Sequence, residues 1–297
     1  MVDAILNSGV INLDKPQGPT SHQVSSWVKK MLSVERAGHG GTLDPRVTGV
    51  LPIALNRATK ALGALLYGDK EYVGILHLHQ DVDEKRIRNI MTDFVGEIFQ
   101  VPPVRAAVKR ERRTRRIYEL EPLEFEGRNV LFRVRCEAGT YIRTLCVDIG
   151  DALGVGGHLA DLRRTRSAGF SEGESVTLHD VLDAYVCWRE ETDPSLLKEV
   201  ILPLESLLSH LPRITIKDSA VDAVCHGAAL AVPGVSRLDS SFASGDIVAV
   251  FTQKGEPVAL GKALTKSSEI IEKDKGIAIQ MQRVLMPTGT YPKMWKS

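Results

Sequence analysis

Gly38 to Pro45, reading Gly-His-Gly-Gly-Thr-Leu-Asp-Pro, constrains this chain more than any other stretch. Three glycines in four residues admit backbone angles closed to other residues and leave room for a second chain to come close. Pro45 fixes its own φ and biases Asp44 toward extended backbone, which can aim the carboxylate outward. From Thr48 the sequence turns apolar, Gly49-Val50-Leu51-Pro52-Ile53-Ala54-Leu55, and reads as a buried strand that anchors the loop. Alone, the stretch is either a presented functional loop or a glycine-rich connection whose aspartate caps something nearby.

Upstream, Gly9 to Leu13 reads as a strand that ends in the stiff turn Asp14-Lys15-Pro16-Gln17-Gly18-Pro19. Thr20 or Ser21 then caps a helix with Val24, Trp27, Val28, Met31 and Leu32 on one face. Lys15 reads as a surface charge at a strand end, and His22 as packing or solvated. Downstream, Ala58 to Leu66 suggests a short helix and Lys70 to His79 a strand opened by Tyr72, a core or rim tyrosine by default. His77 and His79 share a face of that strand at a spacing that can hold a metal, but no carboxylate or thiol cluster joins them. Asp83 to Val95 gives another helix.

After Pro102-Pro103, seven basic residues (Arg105, Lys109, Arg110, Arg112, Arg113, Arg115, Arg116) stand against one acid, Glu111. That net +6 lies in a chain whose formal charge is +1, so any attraction to a polyanion is local. A like-charged run repels itself, and a mobile basic arm closing on a phosphate backbone accounts for it better than a solvated surface. A hairpin follows: Ile117–Phe125, a turn, then Val130–Glu137 with Val130, Phe132, Val134 and Cys136 inward. Thr140 reads as the cap of a helix to Leu153, which puts Arg143 in its first turn. A cation there opposes the helix dipole at about 0.3–1 kcal/mol, so a nearby anion is expected to hold it. Asp44 is the candidate. His158 to Arg164, Thr177 to Tyr185 and Pro194 to Leu208 read as helices, with Glu190 to Asp193 a polar break.

The 297 residues suit two domains. From Leu211-Pro212 a second, β-rich unit follows, with hairpin arms Asp246–Phe251 and Pro257–Leu264 and a last strand Gly276–Leu285. It suggests a small barrel, and Tyr291 and Trp295 in the tail are exposed unless they pack back. Four cysteines without a CxxC pair read as small core residues of a reducing compartment. No secretory pattern or membrane-length apolar run stands out, which makes a soluble intracellular protein the expectation.

Asp14-Lys15-Pro16, Gly38 to Pro45, Lys70-Glu71-Tyr72, Gly139-Thr140-Tyr141-Ile142-Arg143 and Leu162-Arg163-Arg164 resemble, in order, the motifs of the TruB family of pseudouridine synthases. Ile214 to Val284 resembles a PUA domain, an RNA-binding module. Ile11 to Pro16, Arg163 to Ser167 and Lys217 to Val221 are spelled most like the archaeal and eukaryotic branch, that of dyskerin and its archaeal counterparts. Two departures stand out. Archaeal members usually carry a few dozen more residues before the Gly9 strand, where eight stand here. Ser167-Ala168-Gly169-Phe170 replaces a Ser-Gly-Pro-Phe-like spelling, so a local loop change is expected.

The resemblance implies an α+β fold: a mixed, largely antiparallel sheet of pseudouridine synthase type over 1–209, a barrel-like PUA domain over 210–285, and a tail, 286–297. It implies an isomerase with no cofactor and no metal, in keeping with the lack of a P-loop or dinucleotide fingerprint. Asp44 would be the nucleophile, held ionised by a two-point contact from Arg143, and Tyr72 would stack on the base. His39 would contact the flipped RNA region, Lys15 would brace the pocket and Leu162 would wall it. The basic run would be the thumb loop over substrate RNA. Implied partners are a box H/ACA guide RNA, substrate rRNA or tRNA, a small zinc-ribbon-type protein on the catalytic domain, a glycine-arginine-rich-type protein near the thumb loop, and a kink-turn-binding protein reached through the guide. The absence of lysine-rich tails favours an archaeal cytoplasmic protein. A stand-alone tRNA enzyme and a non-catalytic RNA-binding scaffold are the alternatives.

Overall fold

The computed structural model describes residues 2–101 and 111–294. Its first unit runs α1 (Val2–Ser8), β1 (Gly9–Lys15), α2 (Ser21–Met31), β2 (Ala37–His39), β3 (Thr48–Leu55), a 3-10 segment Asn56–Tyr67, β4 (Lys70–Leu78), α3 (Glu84–Asp93), β5 (Gly96–Gln100), β6 (Arg113–Glu126), β7 (Asn129–Cys136), α4 (Ile142–Ala152), β8 (Gly157–Ser167), β9 (Phe170–Ser171), α5 (Leu178–Glu191), α6 (Ser195–Val200) and β10 (Leu202–Pro203). Ten strands form one sheet in the order β10-β1-β3-β8-β4-β7-β6-β5, with β2 on β3 and β9 on β8. Every pairing in it is antiparallel except that of β3 with β8, so the sheet is mixed. Alternation sets the core face: Val130, Phe132, Val134 and Cys136 of β7 are all buried.

The second unit comprises β11 (Arg213–Ile216), α7 (Asp218–Cys225), β12 (Leu230–Ala231), β13 (Val235–Leu238), β14 (Ile247–Phe251), β15 (Pro257–Ala263), α8 (Ser267–Glu272) and β16 (Ile277–Val284). Its six strands, ordered β12-β16-β15-β14-β11-β13, make a nearly closed barrel-like sheet. Phe251, Leu260 and Leu285 share an apolar cluster with Val10, Ala61 and Leu65 of the first unit. The alanines of the 3-10 segment let the barrel approach closely. Tyr291 packs back on the barrel, its hydroxyl 2.6 Å from a Glu256 carboxylate oxygen; Trp295 lies outside the described residues. Among the described residues no helix is long and apolar enough to cross a membrane.

Several local expectations change in the fold. His158 to Arg164 is not a helix but most of β8, because β3 and β4 offer it backbone partners on both sides. Thr140 does not cap α4: Tyr141 is the N-cap, and the Thr140 hydroxyl donates to the Glu137 carbonyl at 2.7 Å. Pro194 to Leu208 splits into α6, β10 and a 3-10 turn, and α5 runs through the polar stretch to Glu191, where left-handed Thr192 ends it. Lys15 is no surface charge; it is fully buried. Ala168 adopts φ +54°, a left-handed conformation that suits glycine and costs another residue roughly 1–2 kcal/mol, and nothing in the structure explains the departure at this turn.

Lys70 closes the 3-10 segment, donating to the carbonyls of Leu65 and Gly68 at 2.7 and 2.8 Å. Burial lowers its pKa to about 8, assisted by the charge of Arg164. An unfolded lysine holds its proton to about 10.4, so between those values the folded chain binds fewer protons and stability rises with pH. The gap in urea midpoint between wild type and Lys70→Met is expected to shift in favour of wild type from pH 7 to pH 9.5. An unchanged gap would remove the linkage.

Candidate active site

The glycine loop runs between β2 and β3 and places Asp44 beside the start of α4. Arg143 Nη2 stands 2.9 Å from Asp44 Oδ2, with both side chains about half exposed, 46% and 48%. The cation in the first turn of α4 has its anion, and the pair opens onto solvent. Gln100 fixes the position of that turn: Tyr141 N donates to its Oε1 at 2.9 Å, and its Nε2 donates to the Tyr141 carbonyl at 3.1 Å. This buried amide was not singled out in the sequence, where it stands unmarked before Pro102-Pro103.

Tyr72 lies on the core face of β4, and its neighbour on β8 is Arg164. Burial raises the Tyr72 pKa and keeps the phenol protonated; the Arg164 charge opposes that shift and the Asp44 charge adds to it. Leu162, two residues along β8, pairs with Gly74 and is buried. Gly74 makes the room, since a Cβ there would stand 2.8 Å from Leu162 Cδ1. Asp44 and Arg143 thus meet from two separate elements, while Tyr72 and Leu162 come from the adjacent strands β4 and β8.

Lys15, at the end of β1, donates to the carbonyls of Pro16, Pro45 and Val47 at 2.9, 3.2 and 2.9 Å. It therefore holds the chain immediately after Asp44 from behind. Burial lowers its pKa, and the Asp44 charge partly restores it. The Ser21 hydroxyl and Leu43 close the other flank, the hydroxyl donating to the Leu43 carbonyl at 3.0 Å and accepting from its N–H at 2.8 Å. His39 is tethered at 3.3 Å to Ser25 Oγ and 3.4 Å to Thr42 Oγ1. Burial, then the charges of His22 and Arg164, lower its pKa, so it meets a ligand as a neutral imidazole.

Arg105, Lys109 and Arg110 lie outside the described residues. Arg113, Arg115 and Arg116 do not sit on a mobile arm: they belong to β6, paired with β5. Arg112 stacks 4.0 Å over Phe99, itself 60% exposed, and Arg115 lies 3.7 Å from Glu137. His77, His79 and His158 meet on the outer face of the sheet, with His79 Nε2 3.0 Å from His158 Nδ1. Among the described residues no group of three potential ligands is arranged to hold a metal ion.

Family comparison agrees with this architecture. The TruB family pseudouridylate synthase N-terminal domain matches residues 29–142, the tRNA pseudouridylate synthase B C-terminal domain 143–209, and the PUA domain 212–285. A DKCLD domain matches 2–25. Proteins described as probable tRNA pseudouridine synthase B from Methanopyrus kandleri and Pyrococcus furiosus are 56% and 55% identical, each over 99% of this chain and 87% of the relative. A chain in the crystal structure of a Cbf5-Nop10-Gar1 complex superposes with a TM-score of 0.92 at 55% identity, covering 98% of this chain and 89% of that one. A chain from an H/ACA ribonucleoprotein bound to a substrate RNA containing 2'-deoxyuridine gives 0.90 at 53%, covering 99% and 90%. The chain belongs to the TruB family of pseudouridine synthases, which are isomerases. Within that family it is a Cbf5/dyskerin-like, archaeal-type member with a PUA domain.

Proposed function

We propose that this chain converts selected uridines of rRNA, and of tRNA, to pseudouridine as the catalytic subunit of a box H/ACA ribonucleoprotein. Asp44 acts as nucleophile, Arg143 orients it and Tyr72 packs on the base. The observation that carries the reading is the 2.9 Å contact of Arg143 with Asp44, both half exposed, near enough to the buried Tyr72 for the Asp44 charge to raise its pKa. In the reaction the C1′–N1 bond breaks, the uracil turns, C1′ bonds to C5, and the C5 proton is lost as N1 gains one. Substrate and product are isomers, so no electrons or groups enter from outside. Whether the carboxylate adds to C1′, adds to C6 or takes the C2′ proton, it must be ionised and within reach of a nucleotide swung out of its stack. Swinging it out costs a few kcal/mol, which contacts to the RNA backbone offset.

Lys15 braces the loop, Leu162 walls the pocket and neutral His39 meets the displaced strand. The catalytic domain spans 1–209 and the PUA domain 210–285, with 286–297 as tail. The guide RNA and partners of the Nop10 and Gar1 kind follow from the similarity to chains in those complexes; the work is done in the archaeal cytoplasm. A stand-alone tRNA enzyme is the second reading, favoured by the description of the sequence relatives. Adding a matched guide RNA to the chain with its accessory proteins, then mapping the converted uridine, separates the two. Conversion directed by the guide supports the first reading, and equal conversion of tRNA without a guide overturns it.

The basic run supplies the RNA-backbone contacts. Five charges on single-stranded RNA would give log K a slope of about −3.5 against log salt. Neutralising Arg112, Arg113, Arg115 and Arg116 is expected to weaken RNA binding and flatten that slope by roughly 0.7 for each phosphate left without its cation. An unchanged slope would return these residues to ordinary surface.

A further inference from the structure

Lys15 braces the segment after Asp44, and a second buried cation stands behind the loop. Arg164 is 1% exposed. Among the described residues no carboxylate forms a salt bridge with it. Burying an unpaired cation is costly, and an apolar side chain would fill the same space more cheaply. The guanidinium instead spans both arms of the glycine loop. Its Nε donates to the Val50 carbonyl and its Nη2 to the Gly41 carbonyl, each at 2.8 Å. Gly41 precedes Asp44 by three residues; Val50 lies in the strand that follows the loop.

The same guanidinium faces Tyr72, its neighbour in the β4–β8 pairing. The fit is close on two sides. Gly41 has φ +73°, and a Cβ there would stand 3.1 Å from Arg164 Nη1. Gly49, at φ +101°, lies against the Arg164 backbone, where a Cβ would overlap its carbonyl oxygen. Two glycines of the loop region are therefore needed for Arg164 to come so near.

We propose that Arg164 is a positioning residue of the isomerisation, joining the loop that carries Asp44 and the side chain of Tyr72 into one fixed arrangement. The inference rests on the roles given to Asp44 and Tyr72 above. A planar guanidinium can hold two carbonyls at a set angle while backing a phenol; a lysine ammonium keeps the charge but not the fork. Arg164 is buried beneath the loop, so it acts through what it holds rather than by touching RNA.

The test compares Arg164→Lys and Gly41→Ala with wild type in the full chain with its partners and guide RNA, following melting, RNA affinity against salt, and conversion at saturating RNA. Both variants are expected to keep the salt slope of RNA binding, because neither changes a charge, and Arg164→Lys to keep the affinity as well, because Arg164 is buried behind the loop. Conversion by Arg164→Lys is expected to fall about 10²-fold, the scale of a misplaced reacting group. Gly41→Ala, which keeps the arginine but puts a Cβ 3.1 Å from its Nη1 and strains the loop at a positive φ, keeps the test decisive if Arg164→Lys does not fold, and its conversion also falls. Wild-type conversion by either folded variant overturns the inference, as does a rate loss that merely follows a loss of RNA affinity. Activity in Asp44→Asn would overturn the reading of the site itself; an inactive Asp44→Asn beside a fully active Arg164→Lys would overturn only the role of Arg164.

Discussion

Asp44→Asn is expected to yield a folded protein that binds RNA and forms no pseudouridine, a rate loss of at least about 10⁴-fold. The amide matches the carboxylate in size but carries no negative charge, and no other acid takes its place in the described pair with Arg143. Folding should be little affected, since a half-exposed ion pair contributes only about 0–1 kcal/mol and water can satisfy the freed guanidinium. Binding should survive as well, because the loop is held by Lys15 and Ser21 through the backbone, not through the Asp44 carboxylate. Melting and RNA titration establish the fold and affinity, and mapping after prolonged incubation reads the product. Pseudouridine made at the wild-type rate would remove Asp44 from the chemistry.

Arg143→Lys should lose about 10²-fold in turnover, or roughly 2.7 kcal/mol at 1.36 kcal/mol per tenfold. The planar guanidinium that meets Asp44 carries five N–H donors, some of which can serve the sugar or phosphate that closes the site. Lysine offers a shorter reach and a point charge that leaves the carboxylate free to rotate. The helix dipole adds a separate argument: a cation in the first turn of α4 is tolerated because Asp44 answers it, and lysine answers it less well. Single-turnover conversion at saturating RNA is the measurement. Near-normal turnover would place Arg143 outside the working site.

Much of the site was legible in the linear chain because motifs there carry their own chemistry. Glycines around a histidine and an aspartate before a proline mark a presented loop wherever they fold. Arginine in a first helical turn asks for an anion, and Asp44 is the anion it meets. What local reasoning missed depends on distant partners. The β8 segment has no strong period of its own and becomes a strand only between β3 and β4. Gln100 looks like any polar residue until α4 arrives to be clamped. Arg113 to Arg116 read as an arm because charge density says nothing of backbone pairing, which β5 provides.

Residue type, turn residues and apolar alternation are local properties, so the linear chain marks candidate residues for this chemistry and two units to carry them. How they are held depends on long-range pairing. A parallel pairing of β3 with β8 brings Arg164 under Gly41, the antiparallel pairing of β4 with β8 sets it beside Tyr72, and the end of β1 delivers Lys15 behind Pro45. Neither cation announces its burial along the chain; a buried charge depends on which carbonyls surround it, and no local pattern encodes that.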